Sequence, residues 1–150
     1  PRDGARINRG KHLMPNITPV IHPVIGQGDA DGFQVTWGPM ANGDVGIGVG
    51  NTVNGVSVAG GGFFAGYADK SIQVEGNFGA GGAVALEGTN DCDATHYHPL
   101  TDPTGIVVGL TSAGLKSLTE AVIWVRPRVT AGDGTTSLTV TVFFRKTQSR

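Results

Sequence analysis

One polar stretch groups the residue types that could do chemistry. It holds a thiol, two carboxylates and two imidazoles: Asp91, Cys92, Asp93, His96 and His98. Histidines two positions apart point to the same side of an extended segment, and a thiolate with imidazoles can bind zinc. Zinc sites usually follow a stricter spacing, a pair of cysteines with a pair of histidines. Because the chain has a single cysteine, we predict a polar loop without a metal or other cofactor.

Nucleophilic catalysis is the second chemistry that this stretch allows. Cys92 could act as a nucleophile with His96 or His98 as its base. Neighbours within one loop cannot easily also supply an orienting group and an oxyanion hole. The carboxylates elsewhere are scattered, and no pair is marked for acid–base work. We therefore predict no catalytic residue and a protein that is not an enzyme.

Two glycine-rich runs could be mistaken for phosphate-binding loops. They are Gly46–Gly50, in which glycine alternates with isoleucine and valine, and Gly60–Gly62. A dinucleotide fingerprint needs a strand before it and a helix after it, and neither run is followed by a helical pattern. Alternating glycines suit a strand over which another backbone or a bulky ring passes closely. We predict turns and close packing here.

The composition indicates one β-rich domain. Among 150 residues there are 25 glycines, and charged residues make up only 15%; the usual shares are roughly 7% and a quarter. Sparse helix formers and Gly-rich turns favour an antiparallel sandwich or barrel. The low charge indicates that part of the surface is covered in the working state. The sequence has no run of 18 apolar residues, so no transmembrane helix is predicted.

The charge is balanced overall but uneven along the chain. With a net charge of −1, nothing in the overall charge favours nucleic acid or membrane as a partner, and we predict neither. Residues 1–12 sum to +3, and so do residues 145–150, which include Arg145 and Lys146. Basic ends on an acidic body could clamp onto a partner with acidic patches, or they could be solvated tails.

The N-terminal segment differs in pattern from the rest of the chain. We predict an extended arm over residues 1–31 and a β-sandwich domain over residues 32–150. Prolines at positions 15, 19 and 23 disfavour helix, while the apolar residues between and after them need burial: Ile17, Val20, Ile21, Val24 and Ile25. An extended arm lying along another surface satisfies both constraints, and so does a first edge strand of the same domain.

Alternation of apolar and polar residues predicts about eight strands. In residues 122–144 the apolar Leu138, Val140, Val142 and Phe144 alternate with a threonine-rich outer face. The glycines of residues 131–135 predict a turn, so residues 122–144 are predicted to form one hairpin. Residues 69–78 and 83–89, joined by a Gly-rich turn, predict a second hairpin. Such spacing fits a jelly roll or a similar antiparallel sandwich.

One predicted strand carries residue types that concentrate binding energy at interfaces. Trp124, Arg126 and Arg128 alternate, so they share the outward face of that strand. The alternative is local: the arginines pair with Glu75 or Glu87 on neighbouring strands, and a loop covers Trp124. The same face could also bind sugar, as aromatic and polar sandwich surfaces often do.

Several runs in the second half of the chain resemble a known family. They are Tyr67–Gly82, Leu86–Asp91, Leu100–Pro103 and Arg126–Ser137. Over about residues 67–146 the sequence resembles the cement, or head decoration, proteins of tailed bacteriophages, which have a jelly-roll fold. In those proteins Gly-Thr-Asn-Trp often follows Asn-Asp, and Cys92–His98 departs from that pattern.

The resemblance implies a structural role on a virion. A homodimer, favoured over a homotrimer, would bind the major capsid protein on the outside of the phage head, bridge its subunits and stabilise the shell. The chain would be made in the host cytoplasm. Capsid contacts or self-contacts would come from the arm, from the Trp124 face and from the basic C-terminal end. A virion-surface carbohydrate-binding module and a tail or baseplate component are the alternatives.

Overall fold

The computed structural model describes residues 16–25, 30–50, 69–91 and 95–145. These ranges contain twelve strands and no helix, so the predicted all-β class is confirmed. The strands are β1 (Asn16–Ile17), β2 (Val20–Ile25), β3 (Ala30–Met40), β4 (Val45–Gly46), β5 (Val49–Gly50), β6 (Asp69–Asn77), β7 (Ala83–Thr89), β8 (His98–Pro99), β9 (Gly109–Leu110), β10 (Gly114–Leu118), β11 (Trp124–Ala131) and β12 (Ser137–Arg145).

The strands form two sheets. The five-stranded sheet has the order β10-β6-β12-β3-β2, and all its neighbours are antiparallel. The seven-stranded sheet has the order β1-β4-β11-β7-β8, with β5 also paired to β11 and β9 to β7. One hydrophobic cluster joins residues of both sheets. Two sheets around one apolar layer are a β-sandwich.

The period-two pattern predicted the buried side of the central strands. Leu138, Val140, Val142 and Phe144 of β12 are at most 1% exposed, and the threonines between them face outward. The largest buried ring belongs to Trp37, whose indole nitrogen donates to the Ile47 carbonyl at 2.9 Å. The alternation is a local property of a strand, so it survives whichever sheet the strand joins.

Both predicted hairpins are wrong in their pairing. β11 pairs with β4, β5 and β7, whereas β12 pairs with β3 and β6 in the other sheet. In the same way β6 lies in the five-stranded sheet and β7 in the seven-stranded one. Each short link therefore crosses the ~10 Å between the sheets instead of turning back within one. We call residues 78–82 and 132–136 the two arches.

Hydrogen bonds join the two arches to each other. The Asp133 carboxylate accepts the backbone N–H of Ala80 and of Thr135, both at 2.8 Å. Thr136 donates its hydroxyl to the Phe78 carbonyl at 3.0 Å. The Thr135 hydroxyl and these backbone donors lower the pKa of Asp133 to about 2. Gly79 has a φ of 63° and packs against the same carboxylate, so the turn requires glycine.

The described part of the N-terminal segment belongs to the sandwich. β2 lies antiparallel to β3 at the edge of the five-stranded sheet, and β1 pairs with β4. Ile17 and Ile21 pack against the core, whereas Val20 and Val24 are exposed. Ile25 ends β2, and its side chain lies outside the description. Residues 16–25 thus take the second predicted form, an edge strand; residues 1–15 and 26–29 lie outside the described ranges.

Candidate interaction surfaces

Trp124 was predicted either to contribute to an interface or to be covered within the chain, and in the described structure it is covered. It lies on the outer side of the seven-stranded sheet but is only 2% exposed. The ring packs against Gly50 of the paired strand β5, where a methyl group would lie 2.9 Å from ring carbons. The predicted close approach of a ring to a glycine run is confirmed at this position. Trp124 is therefore covered and offers no surface to a partner.

The indole nitrogen of Trp124 is a buried donor for which the described part of the chain supplies no acceptor. Nε1 has no hydrogen-bond partner among the described residues. A buried donor left unpaired costs about 1–3 kcal/mol. Packing of the large ring against Gly50 of β5 offsets that cost.

The two arginines beside Trp124 form ion pairs within the chain, which was the second of the two predictions for them. Arg126 contacts Glu87 through Nε and Nη2, both at 2.9 Å, and Arg128 contacts the same carboxylate at 3.4 Å. Glu87 stands directly opposite Arg126 on β7 and is buried. Glu75, the other predicted partner, lies in the other sheet and accepts a hydrogen bond from Gln73. The charges of this face are largely satisfied within the chain.

Tyr97 completes the cluster on this face. The guanidinium of Arg126 lies 3.8 Å from the centre of its ring, in cation–π geometry. Burial raises the pKa of Tyr97, and the nearby Arg126 charge partly opposes that shift. We call Glu87, Tyr97, Arg126 and Arg128 the arginine cluster.

The outer face of the five-stranded sheet has a different composition. One cross-strand row runs Leu115–Gln73–Thr141–Thr36–Val20, and the next runs Ser117–Ser71–Phe143–Gln34–His22. We call these ten residues the threonine face. None of them carries a carboxylate, an ammonium or a guanidinium group. The Thr36 and Thr141 hydroxyls lie 3.2 Å apart at its centre.

Exposed apolar side chains mark both edges of the threonine face. Leu115 on β10 is 64% exposed and Val20 on β2 is 56% exposed, and they end the same row. Phe143 lies between them, half-buried, with its ring across Gly32. The sequence predicts threonines on the outer side of β12. It does not predict which residues of other strands lie beside them, because that depends on the strand order.

Of the two basic residues predicted to make contacts at the C-terminal end, the structure describes one. Arg145 at the end of β12 forms an ion pair with Asp69 at 2.6 Å, with a second contact at 3.2 Å. It therefore flanks the threonine face as a paired charge. Lys146, the other predicted contact residue, lies outside the described ranges.

A shallow depression of about 370 Å³ adjoins this ion pair. Ser71, Ser117 and Phe143 line it, together with Asp69, Lys70, Leu118 and Arg145. Burial lowers the pKa of Lys70, and its ammonium donates to the Glu120 carbonyl at 3.2 Å. An aromatic ring beside hydroxyls and a charged pair is a set of groups that can bind a sugar.

In the described part of the polar stretch, two of the candidate metal ligands, Asp91 and His96, form a pair. His96 Nδ1 lies 2.7 Å from an Asp91 carboxylate oxygen, and both side chains are well exposed. Cys92 and Asp93 lie outside the described residues. Across residues 16–25, 30–50, 69–91 and 95–145, no group of three His, Cys, Asp or Glu side chains could hold a metal ion. The described part likewise has no helix with the length and apolarity needed to cross a membrane.

Comparison with family models, with curated proteins and with solved structures found no match to this chain.

Proposed function

We propose that this chain is a structural virion protein, a cement protein that binds the outside of a phage head. It would bridge neighbouring major capsid protein subunits and stabilise the shell, without catalysing a reaction. The jelly-roll connectivity of the sandwich, the phage origin and the location on the virion are all parts of this proposal.

The resemblance of residues 67–146 to head decoration proteins carries the proposal. It implies a β-sandwich, and the chain has that architecture in its coarse form, two sheets around one core. The ten uncharged residues of the threonine face add support, because protein interfaces are depleted of charge at their centres.

The proposed mechanism is mechanical. The arches hold the two sheets as one rigid block, so little order is lost on binding. A ligand that binds only the assembled shell stabilises it by mass action. Additional weak contacts from the N-terminal end and from the basic C-terminal end would raise avidity.

Capsid occupancy tests the proposal directly. We expect the purified chain to bind capsids saturably and to raise the temperature at which shells release their DNA. Deleting residues 1–15 removes a basic segment while leaving β1 and β2 intact, and we expect it to lower occupancy. Electron microscopy of labelled particles would show the protein on heads. A chain found only on tails, or one that never sediments with capsids, would refute the proposal.

Glycan binding at the virion surface is a second candidate, favoured by the depression beside Phe143. Titration with a saccharide panel, followed by NMR, would reveal saturable binding that Phe143→Ala abolishes. Thr130→Ala on the seven-stranded sheet is the control and should leave binding unchanged. Absence of any saturable sugar would remove this candidate without affecting the cement role.

A further inference from the structure

We propose that the threonine face is the surface through which two copies of this chain associate. The inference rests on the proposed function in one respect, since it locates the interface of the oligomer that a cement protein would form. It also replaces the Trp124 face, which sequence analysis favoured and which the fold has covered.

Charge is the first argument for a second copy as the partner. In a two-fold interface a residue near the axis meets its own counterpart, so a charged group placed there meets a like charge, whereas a residue away from the axis meets a different residue of the second copy. The threonine face avoids this penalty because its ten positions carry no carboxylate, ammonium or guanidinium group; the next outward residue of β6, the exposed Glu75, lies on the strand beside β12 and accepts a hydrogen bond from Gln73. The flanking charge of Arg145 is already neutralised by Asp69.

The absence of charge also disfavours a charged partner. Selection of a different protein by electrostatic complementarity needs charges on both surfaces. Here recognition would come from shape, from threonine and glutamine hydrogen bonds, and from the apolar groups at the rim. A partner with the same residues offers the same donors and acceptors in return.

The outer side of the five-stranded sheet, which includes the threonine face, approaches the size of a standard interface. Its strands run from five to eleven residues. With a rise of ~3.3 Å and a strand spacing of ~4.8 Å, the flat area of that whole side is roughly 600 Å², and the ten residues of the threonine face occupy about half of it. Standard interfaces bury about 800 Å² per partner, and the accessible area of a corrugated face exceeds its flat area.

The row geometry specifies how the copies would meet. β12 is the central strand, with β10 and β2 at the two edges. A two-fold axis parallel to β12 would lie between the facing five-stranded sheets of the two copies. It places the β10 of one copy over the β2 of the other. Leu115 then packs against Val20 of the second copy, and this contact occurs twice. Thr141 lies near the axis and faces its own counterpart.

Edge-to-edge pairing is a poorer route to the same dimer. The free edge of β2 contains Pro23, which has no backbone N–H to donate. The free edge of β10 carries Lys116, whose ammonium lies 3.7 Å from Asp102. Prolines and lysines at sheet edges are the devices that block strand addition. Among the described strands of this sheet, the two edges are therefore less favourable for a second copy than the face.

Sedimentation equilibrium of the purified full chain tests the inference. We expect the wild type to be dimeric, and Thr141→Arg to raise the dimer Kd at least about a hundredfold, equivalent to ~2.7 kcal/mol, because two guanidinium groups meet at the axis. Thr130→Arg is the matched control, an exposed threonine on β11 of the other sheet. It should dimerise as the wild type does, and thermal unfolding should show both variants folded.

Cross-linking tests the proposed register independently of stability. In a Cys92→Ser background, Leu115→Cys combined with Val20→Cys should give covalent dimers with a bismaleimide that spans roughly 10 Å, the spacing of packed sheets. Leu115→Cys alone should give few, because the axis separates the two copies of that residue.

The outcomes separate this inference from the cement role. A wild-type monomer up to about 100 μM, far above the Kd of a micromolar complex, would overturn the inference, as would a trimer or a dimer that Thr141→Arg leaves intact. If such a chain still binds capsids, the cement role stands. A dimer that behaves as expected but binds no capsid would refute the cement role and leave the dimer interface standing.

Discussion

The outer faces of the two sheets treat their polar groups in opposite ways. On the seven-stranded sheet, Glu87 neutralises Arg126 and Arg128, and the buried Trp124 ring packs across Gly50 of β5. On the five-stranded sheet, uncharged residues stand in open rows between two exposed apolar edges. Residue types that usually mark an interface make contacts within the chain here, and the uncharged rows of the other face form the partner surface that we propose.

The largest effect should come from removing the charge that holds the arginine cluster together. Glu87→Gln leaves two guanidinium groups facing a neutral amide, and breaking a buried ion pair costs about 3–5 kcal/mol. Since both arginines are partly exposed, we expect a loss of roughly 2–3 kcal/mol in the free energy of unfolding. Urea denaturation measures it.

The matched control for that experiment lies on the other sheet. Glu75→Gln changes an exposed carboxylate whose partner is Gln73, and we expect an effect within about 0.5 kcal/mol. Equal effects of the two substitutions would mean that the two faces do not differ in how their charges are held.

A smaller effect should follow from crowding the ring of Trp124. In Gly50→Ala the added methyl group would press on the Trp124 ring and on the Ile123 carbonyl. Overpacking of this kind costs about 1–3 kcal/mol. Gly109→Ala on β9 is the control, because a methyl group there meets nothing within 4 Å. If calorimetry shows the two variants melting together, Trp124 is not covered by β5.

The smallest effect should appear in acid, at the link between the sheets. Hydrogen bonds lower the pKa of Asp133 from 3.8 to about 2 in the folded chain. The unfolded chain therefore binds more protons between these values, so this stabilisation is present above pH 4 and is lost as the pH falls towards 2. Asp133→Asn should unfold with a weaker pH dependence than the wild type in that window. Identical slopes would exclude Asp133 as the titrating group.

The sequence predicts what is local and misses what depends on strand order. Burial of Leu138, Val140 and Val142 follows from alternation along one strand, and the structure confirms it. Pairing does not follow, because a link such as residues 132–136 is long enough either to turn within a sheet or to cross between sheets. Both hairpin predictions failed for this reason.

The surfaces show the same limit. Side-chain alternation placed Trp124 and Arg126 on one side of a strand, but only the fold brings β5 and Glu87 to them. Glu87 was one of two candidate partners, and the sequence could not choose between them. The threonine face spans five strands from four separate parts of the chain, so no single run of residues predicts it.

The position of the arches has a mechanical consequence. Both cross between the sheets at the same end of the sandwich, where Asn42 also donates a hydrogen bond to the Gly132 carbonyl. A load that pulls the layers apart there is borne by peptide bonds. At the far end, where β6 begins and β12 finishes, residues 119–123 carry the chain from β10 to β11 and so tie the layers together as well. Because peptide links hold both ends, the two layers should separate only when strands leave their sheets.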